Sequence, residues 1–183
     1  IIEKVSQLTY PEFLKKNVFE PLGMKRSMVL PADFEVKNYI VKGHYADGRV
    51  FPFHYQDGTY GDKNIISTVN DLYLFYKGLR NNKLFPETIK NEMFRVRWPN
   101  ARRGTGYALG WRVGEVNNEV WMFHSGWWHG FRTAFHYRKS DKTTIVVLSN
   151  RLDKTAYQTW KLFDVLDKKV SADDSLMAKA YGE

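Results

Sequence analysis

The sequence contains no cysteine, which excludes disulfides, thiolate metal sites and cysteine nucleophiles. Long hydrophobic runs are missing too, because a run such as residues 144–148 is far too short to span a bilayer. No basic segment followed by an apolar stretch opens the chain, and its first residue is Ile1 rather than Met. Such a start is compatible with a processed protein or a fragment, and it does not indicate where the parent protein works.

Acidic residues are also in deficit, with 20 Asp and Glu against 28 Lys and Arg, for a net charge of +8. The basic residues are spread along the chain, and only residues 95–103 come close to a cluster. Since no nucleic-acid-binding motif accompanies them, a solvated basic surface is favoured and no nucleic-acid partner is predicted. A hydrophobic fraction of 43% and an aromatic fraction of 16% argue for a packed core rather than disorder.

Residues 1–22 are predicted to be helical. Thr9 lies three residues before Glu12, the spacing of a capping box in which each side chain satisfies a backbone N–H of the other residue. Residues 24–62 are rich in Gly, Pro, His, Tyr and Asp and lack clear periodicity. We therefore expect an extended excursion with little regular structure, and a connection of that length is usually functional or packed over another part of the molecule.

Two more helices are predicted before the sheet. One begins after Ser67, where Thr68 lies three residues before Asp71 and apolar side chains recur at helical spacing. Pro86 suits the first turn of the next helix, because its missing N–H would be unpaired there in any case.

After residue 104 the pattern changes to alternating apolar segments joined by turn residues. The predicted strands are residues 107–116, 119–124, 131–137 and 143–148. Asn117 and Asn118 tolerate the positive φ of a tight turn between the first two segments. A last helix is indicated by apolar side chains at helical spacing, namely Tyr157, Trp160, Phe163, Leu166 and Val170.

This order of elements predicts an α+β fold with an antiparallel sheet of about four strands and a covering C-terminal helix. The predicted organisation is a helical region with its long loop over residues 1–103, the sheet and last helix over residues 104–170, and a tail over residues 171–183.

The densest candidate site is the segment His-Ser-Gly-Trp-Trp-His-Gly at residues 124–130. A His, a hydroxyl and a Gly at the end of a strand bring an acid–base group and close backbone approach to one place. Composition alone favours a strand that ends in a glycine turn with aromatic side chains packed on the sheet.

Four stretches resemble the serine β-lactamase and penicillin-binding protein family, in that family's order: YPEFLKKNVFEPLGM, GDKNIISTVNDLYLFYKGL, YALGWRV and FHSGWWHGFRTAFHYRKSDKTTIVVLSN. The resemblance covers about residues 1–170. It implies a partial β-lactamase/transpeptidase-like fold and a serine acyl hydrolase of the DD-peptidase, esterase or β-lactamase type that works through an acyl-enzyme, without a metal or organic cofactor.

By that resemblance, residues 124–126 stand where the family has Lys-Thr-Gly. The Trp127 backbone N–H would donate into the oxyanion hole, His124 would lie near the nucleophile and Ser125 would offer a hydroxyl to the substrate. Trp128 and His129 would shape the substrate pocket. His in place of Lys is similar to esterase and D-peptidase members, which lowers the expectation of β-lactam hydrolysis.

The family's other two elements have no match in the chain. No Ser is followed by a Lys three residues on, and no Tyr or Ser is followed by an Asn two residues on. The expected nucleophile region therefore precedes Ile1, and the chain is expected to be inactive alone, with the N-terminal part of the same protein as a partner and homo-oligomers possible. Periplasmic or secreted placement follows only from the family.

Alternative chemistries find less support. No Gly-x-Ser-x-Gly elbow or His-Glu-x-x-His spacing is present, so neither an α/β-hydrolase nor a zinc protease is indicated. A different class of function remains open: a non-catalytic module that uses Trp127, Trp128 and His124 to bind a peptide or glycan.

Overall fold

The computed structural model describes residues 1–30, 41–52, 54–100 and 105–167. The N-terminal helical region consists of α1 (Ile2–Ser6), α2 (Tyr10–Leu14), a π-helical turn (Lys15–Phe19) and α3 (Glu20–Leu22). The predicted capping box is confirmed, since Thr9 N donates to Glu12 Oε2 at 2.9 Å and Glu12 N to Thr9 Oγ1 at 3.4 Å. Gly23 ends α3 with a φ of 72°, a left-handed conformation that glycine adopts without a steric penalty.

Helix α4 (Val69–Arg80) packs against this region. The cluster between them consists of buried apolar side chains: Phe19, Leu22, Met24 and Val29. A Cβ on Gly78 would lie 2.3 Å from Leu22 Cδ2, so the packing leaves no room for a side chain there. The predicted cap is present, because Asp71 N donates to Thr68 Oγ1 at 3.2 Å. Helix α5 (Glu87–Phe94) follows, with Pro86 directly before its first residue.

The predicted excursion over residues 24–62 has little regular structure in its described part. Strand β1 (Met28–Val29) pairs with β2 (Ile65–Ile66) and so ties the beginning of the excursion to the residues just after it. The described part of the excursion also contains a 3-10 turn (Tyr55–Gly58) and bridges from His44 to Val50 and to Arg151.

The main sheet is an antiparallel meander of six strands in chain order: β3 (Trp98–Asn100), β4 (Thr105–Tyr107), β5 (Arg112–Val116), β6 (Glu119–Trp128), β7 (Phe131–Arg138) and β8 (Thr144–Ser149). The α+β class is confirmed, whereas the predicted number of four strands was too low. The segment predicted as one strand over residues 107–116 divides at a tight turn, where Ala108 N donates to Trp111 O at 2.7 Å and Gly110 has a φ of 74°. The predicted turn at Asn117 and Asn118 is confirmed by φ values of 54° and 62°.

The C-terminal segment covers one face of this sheet. It forms a 3-10 turn (Thr155–Trp160) followed by α6 (Lys161–Leu166), which shortens the predicted helix. The rings of Trp121 and Phe163 stack at 4.0 Å between centroids inside the buried cluster. The predicted end of this helix at Val170 and the predicted tail lie outside the described residues. Among the helices that are described, none has the length and apolarity needed to cross a membrane.

Candidate active site

Strand β6 extends well beyond its partner β5. The β5–β6 pairing ends at Arg112 and Phe123, whereas β6 and β7 remain paired as far as Trp128 and Phe131. Among the described residues, no strand therefore pairs with residues 124–128 on the β5 side. An edge of this kind presents backbone N–H and C=O groups to an extended ligand.

His124 begins this edge. Its side chain is partly exposed, and its Nε2 lies 3.1 Å from the Tyr107 hydroxyl. Partial burial lowers the pKa of His124 below 6.5, a hydrogen bond with the Ser125 backbone opposes that shift, and the positive charge of Arg112 adds to it. The ring is consequently mostly neutral at pH 7 and acts there as a hydrogen-bonding group rather than as a fixed positive charge.

Gly126 allows β6 to pack tightly against its neighbours. A Cβ at this position would lie 2.3 Å from Thr133 Oγ1 on the paired strand. The Tyr157 hydroxyl donates to the Gly126 carbonyl at 3.0 Å, and burial raises the pKa of Tyr157, so the phenol keeps its proton at neutral pH. Ser125, half-buried, pairs with Ala134.

Trp127 is strongly exposed, with 73% of its surface accessible. Arg132 on β7 is the residue paired with Trp127, and its guanidinium lies 4.6 Å from the centroid of the Trp127 ring. Arg132 is itself buried, and its Nη1 donates to the carbonyls of His129 at 3.2 Å and Phe131 at 3.1 Å. Arg132 thus contacts both the ring of Trp127 and the turn that follows β6.

Trp128 and His129 are turned inward and meet a carboxylate from the excursion. Asp57 Oδ1 accepts a hydrogen bond from Trp128 Nε1 at 2.6 Å and lies 2.9 Å from His129 Nδ1. Lys63 Nζ lies 4.5 Å from the centroid of the Trp128 ring. The two side chains predicted to shape a substrate pocket therefore pack beneath the loop that carries Asp57.

We call residues 41–63 the covering loop; residue 53 lies outside the described part. Its Phe51 ring stacks on His129 at 4.8 Å and on Tyr45 at 4.3 Å. Its Gly43 backbone touches Gly130, where an added Cβ would lie 2.5 Å from the Gly43 carbonyl carbon. The long excursion is thus packed over the end of β6, as its length had suggested.

Sequence reasoning did not identify Tyr107, Asp57 and Tyr157 as site residues. Tyr107 opens the segment YALGWRV that carries part of the resemblance, so its contact with His124 could have been proposed from the strand order. Asp57 and Tyr157 have no such signal, because they lie 71 and 31 residues from their partners.

A metal site finds no support in the described part of the chain, where no three His, Cys, Asp or Glu side chains converge. His136 is fully buried, and its ring stacks on Phe123 at 5.5 Å. Its Nε2 lies 2.8 Å from Thr159 Oγ1, and burial lowers the pKa of His136 to about 3. His136 is therefore a neutral part of the core.

Known proteins identify the family of this chain. A family model described as Beta-lactamase matches residues 1–165. The chain belongs to the Beta-lactamase family. It is 27% identical over 176 residues to penicillin-binding protein 4* of Bacillus subtilis (strain 168), covering 86% of this chain and 38% of that protein.

Solved structures agree with this assignment. An octameric penicillin-binding protein homologue from Pyrococcus abyssi superimposes with a TM-score of 0.80 at 26% identity, covering 92% of this chain and 40% of that one. D-amino acid amidase from Ochrobactrum anthropi SV3 gives a TM-score of 0.68 at 17% identity, covering 81% and 47%. At 17% identity the amidase shows the fold alone. The predicted β-lactamase/penicillin-binding protein-like fold is confirmed, and the chain spans about two-fifths of the length of the penicillin-binding relatives it matches.

Proposed function

We propose that this chain forms one wall of the acyl-transfer site of a serine hydrolase, with the nucleophilic Ser and its Lys supplied by residues outside this sequence. The observation that carries the proposal is the edge of β6 over residues 124–128, which no strand in the described part of the chain pairs with on the β5 side, and His124 lies at its start. An edge strand offers an extended acyl donor both hydrogen-bond donors and acceptors along its length.

The chemistry assigned to this wall is electrostatic and positional. As the serine oxygen attacks the acyl carbon, negative charge develops on the carbonyl oxygen, and the Trp127 backbone N–H is the donor assigned to it in this proposal. His124 and Ser125 supply hydrogen bonds to the substrate beside the reacting bond. The tetrahedral intermediate then breaks its bond to the alcohol or amine, which leaves with the proton taken from the serine hydroxyl, and the acyl-enzyme remains. Water afterwards takes the acyl group and restores the serine hydroxyl, and neither step needs a metal or an organic cofactor.

The proposed substrates are esters and D-amino-acid peptides or amides, ahead of β-lactams. The reason is His124, which is mostly neutral at pH 7 and provides no fixed positive charge for a β-lactam carboxylate. The exposed ring of Trp127 supplies an apolar surface beside the edge strand.

Covalent labelling tests this proposal. A fluorescent fluorophosphonate and a fluorescent penicillin are applied to this chain and to the product of its full reading frame. We expect label on the longer protein alone, at a Ser outside these 183 residues, because removing the nucleophile and its base removes nearly all of the chemistry. Label on a Ser of this chain would refute the assignment of the nucleophile. Labelling of the longer protein by the penicillin would make β-lactams the favoured substrates.

A binding module is the second candidate, favoured by the exposed Trp127 on this edge of β6. It predicts that the full-length protein takes up neither label yet binds a D-amino-acid peptide or a glycan with quenching of tryptophan fluorescence. Replacement of Trp127 by Ala abolishes that quenching if the module is real, whereas labelling of the full-length protein dismisses this candidate.

A further inference from the structure

We propose that Asp57 is the positioning residue of this site: its carboxylate fixes Trp128 and His129 and thereby holds the preceding Trp127 backbone N–H at the end of β6. The inference rests on the proposed function, since it names the group that keeps the oxyanion donor in place. Asp57 is not a catalytic residue, because its contacts are with other residues of the protein.

Three donors converge on the Asp57 carboxylate. Oδ1 faces Trp128 Nε1 at 2.6 Å and His129 Nδ1 at 2.9 Å, while Oδ2 accepts from His54 N at 2.7 Å. An ionised carboxylate only accepts, so this contact places the proton of the imidazole on His129 Nδ1. The side chains of Asp57 and His129 are 15% and 21% exposed, a setting in which charge-assisted hydrogen bonds are short and strong.

The backbone held by these bonds is strained. His129 has a φ of 44°, a left-handed conformation that a side-chain-bearing residue adopts only when its surroundings impose it. The next residue, Gly130, lies so close to the covering loop that an added Cβ would be 2.2 Å from His44 N. The turn after Trp127 is therefore shaped by the covering loop and not by the sheet alone.

Asp57 determines the geometry more sharply than the ring stacks around it. The Phe51–His129 and Trp128–His129 stacks, at 4.8 and 4.3 Å, permit the rings to slide, whereas two hydrogen bonds to one oxygen fix both ring planes. Oxyanion stabilisation depends on donor position so steeply that a shift of roughly 1 Å can lower the rate about a hundredfold.

The first test is kinetic and uses the full-length protein. Asp57→Asn is nearly isosteric, but it has a single acceptor oxygen and no charge, so the three donors can no longer all be paired and the bonds to Trp128 and His129 lose their charge assistance. Asp47→Asn is the matched control, because Asp47 lies in the same loop and its exposed carboxylate pairs with Arg49. With a chromogenic ester, we expect Asp57→Asn to lower the maximal acylation rate about tenfold while apparent substrate affinity changes little, and Asp47→Asn to leave both unchanged. An unchanged acylation rate, or a loss confined to affinity, overturns the proposal.

The second test does not depend on activity and uses this chain. Asp57→Asn is expected to shift the Trp128 indole N–H resonance and to raise amide exchange at residues 127–129 about tenfold, while the amides of Trp121 and Phe123 keep their protection. Unchanged exchange at residues 127–129 refutes positioning even if the full-length protein is an enzyme. Uniformly faster amide exchange across the whole sheet also refutes positioning, because such a change indicates general destabilisation. If the full-length protein takes up no label but this local change is seen, the proposed function fails and the positioning role stands.

Discussion

Tyr107 and His124 are hydrogen-bonded at 3.1 Å although they lie on β4 and β6, which do not pair with each other. The phenol reaches past β5, and the two rings meet nearly edge-on, at 79° between their planes. This bond orients the imidazole where β6 loses its β5 partner. His124 is consequently held at the start of the proposed substrate edge rather than left to rotate freely.

The first prediction concerns the pKa of His124. Because burial and then the positive charge of Arg112 both disfavour the imidazolium, His124 should titrate below 6.5 in the folded chain. Arg112→Gln removes a like charge and should raise that pKa. Histidine ring resonances followed by NMR between pH 4 and 8 measure the change.

Arg97→Gln is the control for this titration. Arg97 lies directly before β3, and its guanidinium pairs with Glu92 at 3.1 Å. Its replacement should leave the His124 titration where it was. A His124 pKa above 6.5 in the unmodified chain, or one that does not respond to Arg112→Gln, would show that the electrostatic description of the site is wrong.

The second prediction concerns acid sensitivity and arises from His136. Burial lowers its pKa to about 3 in the folded state, whereas the unfolded chain titrates near 6.5. Between these values the unfolded state binds more protons, so stability is fully present above pH 6.5 and is lost as pH falls towards 3. From pH 7 to 5 the free energy of unfolding should fall by about 2 kcal/mol, as measured by urea unfolding.

His136→Gln is the matched variant for that experiment. Glutamine keeps a side chain that hydrogen-bonds to Thr159 but does not titrate. It should be less stable at pH 7, because it packs less well on Phe123, and most of the slope between pH 7 and 5 should disappear. Persistence of the full slope would assign the acid sensitivity to other groups.

The third prediction tests the close approach at Gly126. Gly126→Ala places a methyl group 2.3 Å from Thr133 Oγ1 and should reduce the free energy of unfolding by about 1–3 kcal/mol. Thr133→Ala removes that oxygen, and the Thr133 Cβ, 3.6 Å away, is in ordinary contact. The double variant should recover most of the loss in chemical denaturation.

Gly114→Ala serves as the comparison within the same sheet. Its added methyl group would be 3.3 Å from Thr105 Cγ2, a milder contact, so the effect should be clearly smaller. If Gly126→Ala and Gly126→Ala/Thr133→Ala are equally destabilised, the strain does not arise from Thr133.

The parts of the fold that follow from local chemistry were predictable. The Thr9–Glu12 box, the Thr68 cap and the Asn117-Asn118 turn each depend on residues within a few positions of one another. The split of residues 107–116 was missed because a glycine turn interrupts the strand without interrupting its apolar composition. Strand β3 was missed because Pro99 lies at its centre and strand-forming residues are few.

The candidate site was predictable only in its β6 part. Residues 124–129 stand out in the sequence as a dense cluster of His, Ser, Gly and Trp, but nothing local indicates which aromatic ring faces solvent. Trp127 is exposed and Trp128 is held inward because Asp57, 71 residues from Trp128, hydrogen-bonds to the second indole. Contacts of that separation depend on the path of the covering loop, which has no periodic pattern to read.

The fourth prediction is that this chain self-associates when isolated. Ile65, Ile66 and Val69 lie within five positions of one another and are 48%, 38% and 47% exposed, in and beside the two-stranded sheet. Apolar side chains grouped in this way on a short unprotected strand favour contact with another protein surface. Sedimentation velocity across the micromolar range should show a concentration-dependent increase in mass, and Ile65→Lys/Ile66→Lys should reduce it without changing the circular dichroism spectrum.

The control for this experiment is Lys25→Glu, which changes the charge outside the apolar group. Lys63→Glu is unsuitable because Lys63 contacts Trp128. A monomer at every concentration would show that this apolar surface does not drive self-association. Association that persists in Ile65→Lys/Ile66→Lys would place the contact elsewhere, for example on the edge of β3.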